Sequence, residues 1–300
     1  MNLYSQIGEI FLIMLVGFYG NKKKILNEEI NKGLSSLLIN ITLPLLIINS
    51  FNIKYNSEII LNLFKSLGYS FLSFLIIILI SKLLYSKVNG EKKEILKFAT
   101  VFSNCGFIGF PIIESIYGKE GLAYASIFNM AFTVFLWSYG VMLFNGKENI
   151  RDLKKIFINP GIISVVIGAV VMVSPVKMPL VIENVVSMVG GMTTPISMII
   201  TGSMMANVSI RKGIKDIYLY YGVFAKLILV PVILYIIVII LGIKSLPTNV
   251  IIACEAMPVA ATTSIFAENY NKNKDFAAFT VFISTLFSIA TIPLMLRFIT

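Results

Sequence analysis

Histidine is absent from this 300-residue chain. Without an imidazole there is no Ser-His-Asp or Cys-His nucleophile system, and no metal motif that relies on histidine. Charge is scarce as well. Only 13% of residues are Asp, Glu, Lys or Arg, against about 25% in an ordinary globular chain. That is too little to cover a water-facing surface, which argues against a soluble enzyme. Cysteine occurs twice, as Cys105 and Cys254, each in an apolar stretch. Two such residues make no disulfide framework, and buried inert thiols are expected. The three aspartates, Asp152, Asp216 and Asp275, all fall between apolar stretches, which excludes a membrane protease built on two intramembrane aspartates. No G-x-S-x-G, P-loop or C-x-x-C pattern occurs.

What the chain has in quantity is apolar side chain: 57% of residues, with mean hydropathy +0.87. Disordered segments need the opposite balance. A polytopic membrane protein remains. Uncharged stretches run from Gly33 to Ile53, Ser66 to Ser81, Gly121 to Gly146, Ile156 to Val176, Asn184 to Ile210, Leu227 to Ile243 and Phe276 to Leu296. With their flanks, each is long enough to cross about 30 Å of hydrocarbon as a helix. Three further segments are shorter or interrupted: 5–21, 95–117 and 248–269. Ten spans are therefore expected. The first has no basic leader and no small-residue cleavage site, so it reads as a retained span and not a signal peptide.

The net charge of +10 then acquires a meaning. Alternate loops are basic: Lys22, Lys23, Lys24 and Lys32; Lys82, Lys87, Lys92, Lys93 and Lys97; Lys147, Arg151, Lys154 and Lys155; Arg211, Lys212 and Lys215; Lys272 and Lys274. The loops between them hold one each: Lys54, Lys119, Lys177, Lys244 and Arg297. Eighteen against five is the bias expected of a ten-span chain with both termini outside the cytoplasm. The basic balance is thus a topology signal, and no nucleic-acid partner is expected.

The longest polar connection lies in the middle. It divides the chain into residues 1–146, a short cytoplasmic loop at 147–158, and residues 159–300, with five spans on each side. An odd count makes the second half enter from the opposite face, as in an inverted repeat. Prolines recur at matching places: Pro44 and Pro195 in spans 2 and 7 are 151 residues apart, and Pro111 and Pro258 in spans 4 and 9 are 147 apart.

Spans 4 and 9 carry the candidate site. Span 4 reads Ser103-Asn104-Cys105-Gly106-Phe107-Ile108-Gly109-Phe110-Pro111. It predicts a helix broken near Gly106 to Phe110 and restarted at Pro111, because proline suits the first turn of a new helix. Span 9, from Cys254 to Thr263, predicts a similar break near Pro258. Broken helices are tolerated in a membrane where their backbone lines a cavity or meets a ligand. A restarted helix offers free N–H groups and a positive dipole end, which suits an anion such as a carboxylate. Candidate binding residues are Asn104, Gly106, Gly109, Pro111, Pro258, Ala260 and Thr262, with Asn40 beside the Thr42-Leu43-Pro44 stretch. Glu255 is an intramembrane charge with two readings: a carrier of a proton or cation, or a carboxyl held in a pair with Lys226 of span 8. No catalytic group, metal site or resident cofactor is expected. Coupling to Na⁺ or H⁺ is the open point.

Four stretches resemble the auxin efflux carrier family in its short bacterial form. SNCGFIGFPIIESIYG at 103–118 is similar to the family's fourth span, and EAMPVAATTSIFAENYN at 255–271 to its ninth. TLP at 42–44 and TPISMIITGSMM at 194–205 are similar to spans 2 and 7. The resemblance implies ten helices in two inverted five-helix repeats, on a scaffold like that of sodium/bile-acid symporters. It implies that spans 1, 2, 6 and 7 form a dimerising scaffold. Spans 3–5 and 8–10 would form a domain that moves in an elevator-like way in the cell membrane. A small organic acid, auxin-like or malate- or malonate-like, would bind where spans 4 and 9 cross, with Asn104 on its carboxylate. A cation antiporter using Glu255 on the same scaffold is the alternative.

Overall fold

A computed structural model describes residues 3–53, 57–88, 90–145, 154, 156–174, 178–206 and 216–299. Lys54, Lys147, Arg151, Asp152, Lys155, Lys177, Arg211, Lys212 and Lys215, which enter the loop reading above, lie outside the described residues. The same holds for most of the central loop.

The described chain is helical, with no strand and one isolated β-bridge. In order it forms α1 (Leu3–Lys22), α2 (Glu28–Leu37), α3 (Leu43–Ser50), α4 (Ser57–Leu84), α5 (Glu91–Val101), α6 (Phe110–Phe135) and α7 (Val141–Asn145). Then follow α8 (Pro160–Val173), α9 (Leu180–Gly191), α10 (Thr193–Ala206), α11 (Ile217–Phe224), α12 (Val230–Ile240), α13 (Leu246–Glu255), α14 (Thr262–Asn269) and α15 (Lys274–Ile299). Single π-turns join α2 to α3, α6 to α7 and α11 to α12.

Six stretches among the described residues are long and apolar enough to cross a membrane: Glu28–Ser50, Ser57–Leu84, Cys105–Phe144, Leu180–Ala206, Ile217–Ile240 and Lys274–Ile299. α8 and α13 are shorter apolar helices. Cys105–Phe144 is not one straight rod. Gly118 sits at φ +64° inside α6 and turns the chain there. A side chain at that φ would be strained, so glycine is the residue that permits the turn. The expected segments 95–117 and 121–146 meet at this point.

Large apolar side chains face outward all along these helices. Leu83 is 75% exposed, Met188 75% and Ile240 77%. In water that pattern would drive aggregation. Hydrocarbon is the medium that suits it, because a helix satisfies its own backbone there. The chain is a multi-pass membrane protein.

Two compact units divide the helices, and they are not the two sequence halves. The first comprises residues 1–66, 106–130 and 157–207; the second comprises 67–105, 131–156 and 208–300. Each therefore draws on both halves of the chain.

In the first unit, α1 lies along α10 with backbones almost touching. A Cβ on Gly17 would strike the Ile199 carbonyl, and one on Gly202 would strike that of Met14. Small residues of this kind let membrane helices approach closely enough for dispersion to hold them. α3 packs on α8 and α9, where a Cβ on Gly190 would sit 2.9 Å from the Leu46 nitrogen. Polar ties add to this: Asn21 and Asn31 both donate to Ser203 Oγ, at 3.1 and 2.9 Å.

The second unit is built on aromatic rings. Phe74 stacks on Phe135 at 5.0 Å between centroids, and Phe102 meets Phe98 at 4.5 Å and Phe132 at 5.4 Å. Offset and edge contacts of this kind contribute about 0.5–1.5 kcal/mol each beyond burial. They immobilise Phe102, which is the first residue past the end of α5.

Candidate functional site

Two helices of the second unit stop at the same place. α5 ends at Val101, and the chain leaves in an extended conformation at Phe102, with φ −103° and ψ 111°. α13 ends at Glu255, and α14 resumes at Thr262. The local cause in the second case is plain. Pro258 has no N–H to donate, and it disfavours helical backbone at Met257 before it. The first case has no such cause. The sequence puts the break near Gly106 to Phe110, but it lies at Phe102–Asn104. Cys105–Gly109 is already a π-turn, and α6 follows directly at Phe110. Pro111 is the second residue of α6, where a missing N–H costs little. It marks a helix already running and not the place where one stopped.

The two extended segments pair with each other. Ser103 and Val259 form an antiparallel bridge. The Asn104 N–H donates to the Pro258 carbonyl at 2.7 Å, and the Ala260 N–H donates to the Phe102 carbonyl at 3.0 Å. The Val259 N–H donates to Ser284 Oγ of α15 at 3.1 Å. An unpaired backbone group in lipid costs several kcal/mol. Three donors and two carbonyls freed by the breaks are satisfied in this way.

Beside the pairing lies a fully buried ion pair. Lys226, in the π-turn Ala225–Leu229, donates to Glu255 Oε2 at 2.9 Å and to the Thr100 carbonyl at 3.2 Å. Both charged side chains are 0% exposed. Thr100 Oγ1 and the Tyr85 hydroxyl are hydrogen-bonded at 2.7 Å. Of the two readings of Glu255, the paired one is what the structure displays.

The residues singled out from the sequence are placed as follows. Asn104, Pro258 and Ala260 meet at the crossing, and Asn104 is buried. Thr262 opens α14, which has no side-chain cap: Ala261 stands at that position. The hydroxyls of Thr262 and Thr263 are buried and have no hydrogen-bond partner. Gly106, Gly109 and Pro111 follow Asn104 in the chain and are grouped with the first unit. A Cβ on Gly106 would meet only open space. Asn40 belongs to the first unit too, exposed, with its amide donating back to Ser36. Sequence reasoning missed Phe102, Ser103, Val259, Ser284 and Thr100 as parts of the crossing. Ser103 adjoins Asn104 and offered a signal; Ser284 and Thr100 are ordinary helix residues and offered none.

The crossing gathers buried amides and hydroxyls, a fresh helix start and a neutralised charge. The family model for membrane transport proteins matches residues 3–296. The chain belongs to that family. It is a transporter and not an enzyme, and the resemblance to auxin efflux carriers is to this same family. An uncharacterized transporter of Methanocaldococcus jannaschii is 25% identical over 300 residues, covering 95% of each chain. One of Methanothermobacter thermautotrophicus is 23% identical over 301 residues, covering 95% of this chain and 94% of its own.

Proposed function

We propose that this transporter moves small organic acid anions across the cell membrane by alternating access at the crossing. The observation that carries the reading is the start of α14. It has no side-chain cap, and the Thr262 and Thr263 hydroxyls beside it are buried without partners. Donors without acceptors at a positive helix end suit a carboxylate. Asn104, fixed through its backbone to Pro258, adds an amide on the paired strand.

In this reading the chain crosses the membrane ten times, in two inverted repeats with both termini outside. Two features support it. The interrupted spans hold matching places in the two halves. Moreover, α1 pairs with α10 as α8 pairs with α3, so that spans 1 and 7 exchange with spans 6 and 2. The first unit, with its tight glycine contacts, would act as the scaffold and dimerise through it. The second would carry the cargo in an elevator-like movement.

The test is uptake of labelled malonate, malate and indole-3-acetate into proteoliposomes. Asn104→Ala should lower initial uptake at least tenfold while the protein remains folded. No flux and no binding across a broad panel of acids would end the reading. Cation or proton antiport through Glu255 is the second reading, favoured by the burial of that carboxylate. It requires the pair with Lys226 to separate in every cycle, and a cation-driven pH change lost in Glu255→Gln would establish it.

A further inference from the structure

The interrupted helices create an electrostatic problem that the anion reading does not address. α5 and α13 both end at the crossing with their carboxyl termini. Each such end carries about half a negative charge on its last carbonyls. Glu255 is the final residue of α13 and adds a carboxylate where the dipole least favours one. The place is closed to water: Glu255 and Lys226 are both 0% exposed. Oxygen acceptors cluster there, namely the Thr100 carbonyl in the last turn of α5 and the two carboxylate oxygens of Glu255. A buried, negatively biased set of carbonyl and carboxylate oxygens is what a hard cation seeks.

We propose that the Lys226 ammonium is the resident cation of the crossing, filling from the protein's own chain the seat that an alkali-metal ion would otherwise take. Its Nζ lies 3.2 Å from the Thr100 carbonyl and 2.9 Å from Glu255 Oε2, so that one charge bridges the ends of both broken helices. Glu255 Oε1 has no hydrogen-bond partner, so the carboxylate keeps an oxygen for a second ligand if the ammonium is removed. The helix bearing Lys226 is wound as a π-turn at Ala225–Leu229. Such turns are often found at functional sites. The consequence is that the crossing needs no Na⁺ to hold together. Removing the lysine creates a requirement for a cation that the native protein lacks.

The experiment is thermal unfolding of the purified, detergent-solubilised protein in choline chloride. NaCl, LiCl and KCl are then titrated in at constant ionic strength. The readout is stability and not flux, so the result stands whether or not carboxylates prove to be the cargo. The native protein should melt at one temperature in all four salts. Lys226→Ala should melt several degrees lower in choline and recover saturably with Na⁺ or Li⁺. The double variant Lys226→Ala with Glu255→Gln should recover in choline and respond to no cation. A saturable Na⁺ shift in the native protein would overturn the proposal. So would a folded Lys226→Ala variant that is indifferent to every cation. If Lys226→Ala does not fold, the double variant decides: it should fold and melt alike in all four salts, and failure on either point overturns the idea.

Discussion

The two broken helices reach the same crossing by different routes. The break after α13 has a proline at its centre, and the break after α5 has none. Pro258 acts on its own neighbours, removing a donor and pushing Met257 out of helical backbone. Phe102–Asn104 contains three residues that tolerate a helix. They are extended because Pro258 and Ala260 across the gap offer them a carbonyl and an N–H. One break is written locally, and the other is imposed by its partner. In a bilayer, where water cannot satisfy a freed backbone group, a break becomes affordable when a second break supplies its hydrogen bonds.

The largest blow to this arrangement is loss of the carboxylate that balances the charge tying both helix ends. Glu255→Ala leaves Lys226 buried without its counter-charge and should destabilise the protein by about 3–5 kcal/mol. Chemical unfolding in detergent measures it, and a loss under about 1 kcal/mol would show the pair to be dispensable. Next comes Ser284→Ala, which removes the acceptor for the Val259 N–H and should cost about 1–3 kcal/mol. Hydrogen exchange should then be faster at Val259 while the α15 amides hardly change. The smallest effects test the two prolines against each other. Pro258→Ala should cost about 1 kcal/mol or less, because the opposing strand stays in place and the backbone carbonyl at the substituted position can still accept from Asn104. Pro111→Ala should be close to neutral, within about 0.5 kcal/mol, because that residue sits in a first helical turn. A loss at Pro111 well above about 0.5 kcal/mol would reverse our account of the two breaks.

The legibility of the site in the sequence follows the same division. Apolar runs such as 66–81 and 276–296 located α4 and α15 directly, because a lipid-facing helix needs little beyond length and composition. The break at Pro258 was legible because its cause lies within the segment. The break after Val101 was misplaced by several residues, towards the glycines and Pro111, because its cause lies in a segment far along the chain. Lys226 and Glu255 stood out as charges in apolar surroundings, and their pairing was one of two readings. Nothing in the sequence marked Thr100 or Ser284, whose roles depend on a backbone carbonyl and on a hydroxyl aimed at a distant amide. The two compact units were not legible from the residues alone. Periodicity and charge describe segments in order, and each unit is assembled from segments out of order.

That interleaving bears on how the protein is made. When α5 leaves the ribosome, the Phe102 carbonyl and the Asn104 N–H have no partners, and none exist until residues 258–260 have been synthesised. Lys226 enters the membrane before Glu255 does. Between residues 104 and 258 the nascent chain therefore carries half a crossing, and between Lys226 and Glu255 an uncompensated charge. It must wait at the insertion machinery, or borrow partners there, before the second half arrives. Truncation anywhere before residues 258–260 should accordingly yield a substrate for degradation and not a smaller transporter.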